Sequence, residues 1–207
     1  MPENLHKLFV ISSPSGGGKT SLINKVFEDS RSANFEKSIS DTSRQKRQGD
    51  LEGKDYYFLS EKDFKEKIKR EEYVEYATVF GNFYGTSKNE IKTKYNNSNL
   101  VLELDWQGAY AVKKLFDDAK LIFLVPPSLD DLKQRLIKRN LDSSESIENR
   151  LSEAKKEISK SEMYDFLVLN DDFDRAFEDL SQILFKGISS KDFNSRVAKD
   201  LIERLVE

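Results

Sequence analysis

Ser13-Pro14-Ser15-Gly16-Gly17-Gly18-Lys19-Thr20 joins a glycine run to a cation and a hydroxyl, the residue types that hold a chain of phosphates. Glycines leave backbone N–H groups free to curl around phosphate oxygens. Lys19 can reach the outer phosphates, and the Thr20 hydroxyl can help hold a hard divalent cation. The usual pattern has Gly where Ser13 stands, so the flanking sequence has to support the motif. It does: Leu8-Phe9-Val10-Ile11 is a short apolar run suited to a buried strand, and Leu22, Ile23, Val26 and Phe27 come after the loop at helical spacing. Strand, loop, helix aims a helix N-terminus at the anion, so Ser13 to Thr20 reads as a phosphate-binding loop.

A second constellation lies in Ser40-Asp41-Thr42-Ser43-Arg44-Gln45-Lys46-Arg47-Gln48-Gly49-Asp50, continuing into Gly53-Lys54-Asp55-Tyr56-Tyr57-Phe58. Arg44 and Arg47 offer two guanidinium forks three residues apart, with the Tyr56 phenol close behind. That set suits a dianionic phosphate on a second substrate. Taken alone, the segment also reads as a solvated basic turn. Glu75 then leads into Gly81-Asn82-Phe83-Tyr84-Gly85-Thr86-Ser87, whose phenol and hydroxyls suit a pocket wall, although Tyr and Thr are equally at home in plain strands. Arg135 and Arg139, four apart, share one helix face and can swing together or simply face solvent.

These groups need elements to position them. Leu100 to Leu104, Leu121 to Val125 and Phe166 to Leu169 repeat the apolar strand signal of Leu8 to Ile11, with helical patterns between. The alternation predicts an α/β fold with a parallel sheet flanked by helices. Ser60 with Asp63, Ser87 with Glu90 and Ser128 with Asp131 mark helix starts. The polar stretch from Ser40 to Tyr84 breaks the rhythm and reads as an insertion. Asp130 to Glu162 is charged and helical, as expected of a mobile lid. Phe193 to Glu207 reads as an amphipathic helix. We expect one domain, with a core at 1–38, 89–127 and 166–207, an insertion at 39–88 and a lid at 128–165.

Composition narrows the function. With 207 residues, 37% of them hydrophobic, the chain can bury one sizeable core. A net charge of -3 gives no general attraction to nucleic acid or to an anionic membrane. The absence of cysteine excludes disulfides, zinc-finger spacing and a thiol nucleophile. The lone His6 sits in a polar stretch and is expected to be solvated rather than catalytic. No apolar run approaches a membrane span and the first residues have no signal-peptide character, so a cytoplasmic location is expected. Oligomeric state, monomer or homo-oligomer, is not encoded legibly.

With these blocks assembled, the sequence resembles the guanylate kinases, which move a phosphoryl group from ATP to GMP. The likeness extends to Asp105-Trp106-Gln107-Gly108, Arg135-Leu136-Ile137-Lys138-Arg139, Arg150 and Asn170-Asp171-Asp172. It implies a P-loop nucleoside monophosphate kinase fold, ATP with Mg²⁺, and GMP or dGMP as acceptor. It implies that Arg44, Arg47, Tyr56 and Tyr84 hold the GMP phosphate, while Ser40, Glu75, Thr86 and Asp105 surround guanine. Arg135, Arg139 and Arg150 match lid arginines that approach the ATP phosphates and the transferring group, and Asn170 falls where the family meets adenine. Together with Lys19 and Arg44, those arginines form the expected catalytic set. Three positions depart from the family pattern: Ser13, Lys46 in place of a turn-setting Pro, and Glu103 in place of Asp.

The residue types explain the chemistry. Guanine shows two adjacent donors, N1–H and the 2-amino group, which one carboxylate accepts side by side; adenine presents an acceptor and a C–H there. Glu75 is therefore the expected base selector, with Ser40 and Thr86 donating to O6. Two other classes fit less well. Asp105-Trp106-Gln107-Gly108 matches the Asp-x-x-Gly of P-loop GTPases, but no Asn-Lys-x-Asp stretch comes after it. A non-catalytic guanylate-kinase-like scaffold typically has a degraded phosphate loop, whereas Lys19-Thr20 is intact here.

Overall fold

Two apolar clusters, one on each face of a parallel sheet, organise the molecule. A computed structural model of the chain describes residues 6–79, 81–138, 144–191, 193, 197 and 199–206. Strands β1 (Leu8–Ser12), β2 (Phe35–Lys37), β7 (Asn99–Glu103), β8 (Lys120–Val125) and β9 (Phe166–Leu169) form a five-stranded sheet in the order β2-β7-β1-β8-β9. Every pairing in it is parallel. A parallel sheet covered on both faces needs strands that are apolar on both sides. Accordingly, every residue of β1 is buried.

Successive side chains of β1 divide between the two clusters. Leu8 and Val10 join Leu100, Leu102, Leu121 and Phe123 on one face, under α3 (Lys88–Tyr95), α4 (Trp106–Leu115), α6 (Ser144–Ile158) and α8 (Lys199–Val206). Phe9 and Ile11 join Val101, Ile122 and Leu124 on the other, under α1 (Lys19–Glu28) and α7 (Phe173–Lys186). The chain leaves central β1 toward β2, returns through β7 beside β1, and continues to β8 on β1's far side. That reversal makes the C-terminal end of β1 the crevice where open α/β sheets take their ligands.

Residues 39–88 build a second sheet, with β3 (Asp41–Thr42), β4 (Tyr57–Phe58), β5 (Tyr73–Val79) and β6 (Asn82–Ser87) in the order β4-β3-β6-β5. Helix α2 (Glu61–Lys69) covers it through Phe64, which is fully buried and stacks on Tyr73 and Phe83 at centroid distances of 4.5 and 5.3 Å. The anticipated helix starts are all capped: Ser60, Ser87 and Ser128 accept the backbone N–H of Asp63, Glu90 and Asp131 at 3.0 Å each.

The structure adds to the sequence reading in three places. Strand β2 carries no apolar run and was not anticipated; it forms because its backbone completes the edge of β7. The charged segment expected to act as a lid, which begins with α5 (Leu129–Lys138), also contributes to the core, because Leu132, Leu136, Ala154 and Ile158 are buried. His6 is half-buried rather than solvated.

Candidate active site

The glycine loop takes its shape from the space it is denied. The Gly17 N–H donates to the Pro14 carbonyl at 2.8 Å, and a Cβ on Gly17 would stand 2.8 Å from that same oxygen. Gly18 caps α1 at φ 87°, a left-handed conformation that glycine adopts without steric cost. The Asn170 side-chain amide donates to the Gly17 carbonyl at 2.7 Å, while its backbone N–H is held by the Val125 carbonyl. Asn170, expected beside adenine, therefore braces the loop from the end of β9.

Lid-side groups reach the same loop. Leu132 and Leu136 of α5 lie against Gly16. Arg135 forms an ion pair with Asp131 at 2.6 Å and donates to the Asn170 carbonyl at 3.0 Å. Arg150 donates to the Ser15 hydroxyl at 3.4 Å. Arg139 lies outside the described residues.

Lys19 opens α1 with its ammonium pointing back along the sheet, donating to the Leu104 carbonyl at 3.4 Å and standing 4.0 Å from Glu103. Burial lowers its pKa, and the carboxylates of Glu103, Glu157 and Asp105 oppose that shift. The Thr20 hydroxyl donates to Glu103 at 2.5 Å, and Lys37 pairs with the other Glu103 oxygen at 2.8 Å. Burial works against ionisation of Glu103, but Lys19, Lys37 and Thr20 outweigh it and hold the carboxyl below its usual range.

The Thr20–Glu103 pair also tests the fit of a divalent cation. Among the described residues no three His, Cys, Asp or Glu side chains converge on one point. The hard oxygens of Thr20 and Glu103 would suit a magnesium-like ion, the kind that is held by one or two protein oxygens and retains several waters. The residues fit such an ion, and the described residues form no closed protein cage around it. Glu103, the longer carboxylate of the departing position, spans the gap between Thr20 and Lys37.

The inserted sheet faces this region. Arg44 is mostly buried and pairs with Asp50 at 2.9 Å, its guanidinium 5.5 Å from the ring centroids of both Tyr56 and Phe58. Tyr56 meets Tyr84 edge-on at 5.7 Å. Burial, then the neighbouring Tyr84, pushes the Tyr56 phenol up, so it stays protonated and able to donate. The Arg47 backbone N–H donates to Asp50 at 2.7 Å while its side chain is exposed. Lys46 lies 5.7 Å over Phe58, a contact that Pro could not make.

Across the sheet, Thr86 is fully buried, its hydroxyl 3.4 Å from that of Ser40, and it donates to Glu75 through both hydroxyl and backbone N–H. Burial raises the Glu75 pKa in spite of those donors, and Asp105 adds to the rise. Asp105 caps α4 by accepting the Gly108 N–H at 2.8 Å. Glu75, Asp105 and Gln107 line a recess of about 300 Å³. The inserted sheet meets the core here: a Cβ on Gly108 of α4 would stand 3.0 Å from Glu75 Cγ, and Glu75 lines the recess together with Asp105 and Gln107.

The guanylate kinase family model matches residues 5–187 of the chain. The chain belongs to the guanylate kinase family. It is 44% identical over 186 residues to the guanylate kinase of Wolbachia sp. subsp. Brugia malayi, covering 89% of this chain and 94% of that one. It is 47% identical over 178 residues to the guanylate kinase of Hahella chejuensis, covering 86% and 85%. The crystal structure of guanylate kinase from Anaplasma phagocytophilum aligns with a TM-score of 0.68 at 33% identity, over 90% of this chain and 88% of that one. The five-stranded parallel sheet with its flanking helices is thus that of a guanylate kinase-like P-loop fold.

Sequence reasoning did not single out Asp50, Lys37 or Glu157. Asp50 carried a legible signal, an acid three residues after Arg47. Glu157 carried none, because it sits in a stretch crowded with solvent-facing acids. Burial pushes the Glu157 carboxyl up to about 7, Lys19 opposing and Asp105 and Glu153 reinforcing, and its Oε2 is buried without a hydrogen-bond partner.

The fold therefore favours protonated Glu157. Its contribution to stability is complete below the ordinary carboxyl pKa of 4.5 and is lost as pH rises through about 7. Relative to wild type, Glu157→Gln should gain thermal stability between pH 5 and 8, by on the order of 2–3 kcal/mol at the upper end. Melting curves of both proteins across that range check this; a gap that does not widen with pH contradicts it.

Proposed function

We propose that this chain catalyses reversible transfer of the terminal phosphoryl group of ATP to GMP, giving ADP and GDP. Two sets of groups suited to phosphate carry the reading: Lys19 with Thr20 from the loop beside Glu103, and Arg44 with Tyr56 and Tyr84 from the inserted sheet, whose Glu75 packs against α4. Membership of the guanylate kinase family supports an ATP-dependent phosphotransferase. An intact loop with its cation in place favours an enzyme over a binding scaffold.

In this reading Ser13 to Thr20 and Asn170 form the ATP side. Arg44, Arg47, Tyr56 and Tyr84 hold the acceptor phosphate, while Ser40, Glu75, Thr86 and Asp105 read guanine. The insertion at 39–88 and the lid at 128–165 move against the core, so that Arg135, Arg139 and Arg150 meet the transferring group on closure. On the protein side Thr20 would hold the Mg²⁺ that accompanies ATP, and the ion would supply charge neutralisation between the phosphates. The acceptor is already ionised near pH 7, so no general base is needed; alignment, charge stabilisation and exclusion of water suffice. That agrees with the place of His6, the one histidine of the sequence, which precedes β1 at the end of the strand away from the loop.

Ionised Glu75 accepts the two guanine donors side by side, which offsets the burial that raises its pKa. dGMP serves as a second acceptor, because the assigned residues read base and phosphate rather than sugar. A net charge of -3 supports small-molecule nucleotides rather than nucleic acid as partners. No helix among the described residues is long and apolar enough to cross a membrane. A cytoplasmic site of action, where ATP and GMP are both at hand, belongs to the same reading.

ADP release measured with ATP and each of GMP, dGMP, AMP, UMP and CMP tests the assignment. Turnover should be confined to GMP and dGMP, and Lys19→Ala should lower kcat by about 10² to 10³-fold, as for loss of one preorganised electrostatic donor. Turnover with AMP or UMP equal to that with GMP contradicts it. Arg44→Ala and Arg47→Ala should each raise KM for GMP by roughly ten- to a hundredfold and leave KM for ATP nearly unchanged, since charge-assisted phosphate bonds contribute about 1.5–3 kcal/mol. Kinetics with both substrates varied decides it, and equal effects on the two KM values would remove these arginines from the acceptor site.

A further inference from the structure

Behind the residues assigned to guanine, on the other face of the inserted sheet, lies a buried polar contact that the reaction does not use. Asp41 of β3 is 4% exposed, and its Oδ2 accepts both the Lys67 ammonium of α2 and the Tyr73 phenol of β5, the latter at 2.7 Å. A buried carboxylate is costly unless paired and hydrogen-bonded, so these partners hold it strongly. Lys67 also stands 5.1 Å over the Tyr73 ring, and Phe64 packs on that ring's face.

The reach of Tyr73 is unusual because β3 and β5 are not neighbours; β6 runs between them. Asp41 pairs with Gly85 on β6, and Gly85 pairs with Tyr76 on β5. A Cβ on Gly85 would come within 3.0 Å of Tyr73 Cδ1, so the missing side chain is what lets the Tyr73 ring lie across β6. The phenol thereby bridges two strands that share no backbone hydrogen bonds.

Register explains why this matters on the opposite face. Tyr73 pairs with Ser87 but Glu75 pairs with Thr86, so β5 carries an extra residue between them. Such a bulge breaks the alternation of side chains and re-aims the residues after it. It leaves Tyr73 on the face of Asp41 and Gly85, and turns Glu75 to the face of Thr86 and Ser40. A bulge also loosens pairing, so the position of Glu75 relative to Ser40 needs another constraint. The Asp41–Tyr73 contact provides it: Asp41 is the residue directly after Ser40, and Tyr73 flanks the bulge that carries Glu75.

We propose that Tyr73 and Asp41 are positioning residues for base recognition, a strut across β6 that fixes the Glu75 carboxylate relative to the Ser40 and Thr86 hydroxyls. The proposal rests on the reading of Glu75 as the guanine selector. Neither residue touches the reacting atoms; both act through the sheet.

The test is Tyr73→Phe, which removes one hydroxyl and keeps the ring on Phe64, in the full-length protein. KM for GMP should rise about three- to tenfold, the range expected for one hydrogen bond. KM for ATP and kcat at saturating GMP should stay within about twofold, and the preference for GMP over AMP should narrow by the same factor as KM rises. Asp41→Asn, which keeps an acceptor for the phenol, should retain most of the GMP affinity if Tyr73→Phe loses it. Calorimetric titration with GMP alone gives the affinity independently of turnover, should either variant be less stable. A lowered melting temperature with unchanged GMP affinity and unchanged preference would make the contact a structural brace and overturn the proposal. A wild-type protein that does not phosphorylate GMP would instead overturn the functional reading beneath it.

Discussion

Keeping the Lys19 ammonium charged at a place that burial makes unfavourable is the constraint around which the cleft is arranged. The phosphate loop must end there, because α1 begins where β1 runs out, and β1 is buried along its whole length. Compensation comes from three directions: Glu103 at the end of β7, Asp105 at the start of α4, and Glu157 near the end of α6. Each also does something local. Glu103 ties Thr20 to Lys37 and Asp105 caps its helix, while burial, reinforced by Asp105 and Glu153, pushes the Glu157 carboxyl up to about 7, so its share of the compensation grows as pH rises through neutrality. In the proposed reading, phosphates arriving at the loop would take over part of that compensation, which would link nucleotide binding to the charge balance of the cleft through one ammonium.

In the proposed reading the inserted sheet solves a different problem, the reading of a base by groups that water would otherwise occupy. Its front face sets out Ser40, Thr86 and Glu75 by backbone register, and its back face carries the aromatic packing of Phe64, Tyr73 and Phe83 under α2. Arg44 is prepared in the same way, packed against two rings and anchored to Asp50. Preorganised charges of this kind need little rearrangement when an anion binds, and that is where such sites gain over water.

Much of this was legible because it rests on local rules. The four apolar runs became β1, β7, β8 and β9, and three capping serines were found in place, since both signals depend on neighbouring residues. Strand β2 was not legible, because an edge strand of three residues is decided by the strand it joins rather than by its own side chains. Asn170 illustrates the limit for the site: its type and position were read, but its grip on the Gly17 carbonyl depends on β9 and the loop meeting in space. Glu157 was invisible, since nothing in a run of acids tells which one turns inward. Lys46 and Glu103 looked like departures, and the structure gives each a contact of its own, with Phe58 and with Thr20 and Lys37.

The central claim is that Glu75 reads guanine, and its substitution by glutamine addresses that claim without changing size. Glutamine turns one acceptor into a donor that faces the guanine donors, so kcat/KM for GMP should fall at least about tenfold, given that hydrogen bonds to buried charged groups contribute about 1.5–3 kcal/mol. Efficiency with AMP, measured on the same preparations, should fall less or not at all, because adenine offers no such pair of donors at that edge. A narrowed preference for GMP over AMP in Glu75→Gln is the predicted result. Loss of activity toward GMP and AMP by the same factor would mean that Glu75 supports the fold or the phosphate geometry, and the reading of the cleft as a guanine site would have to be abandoned.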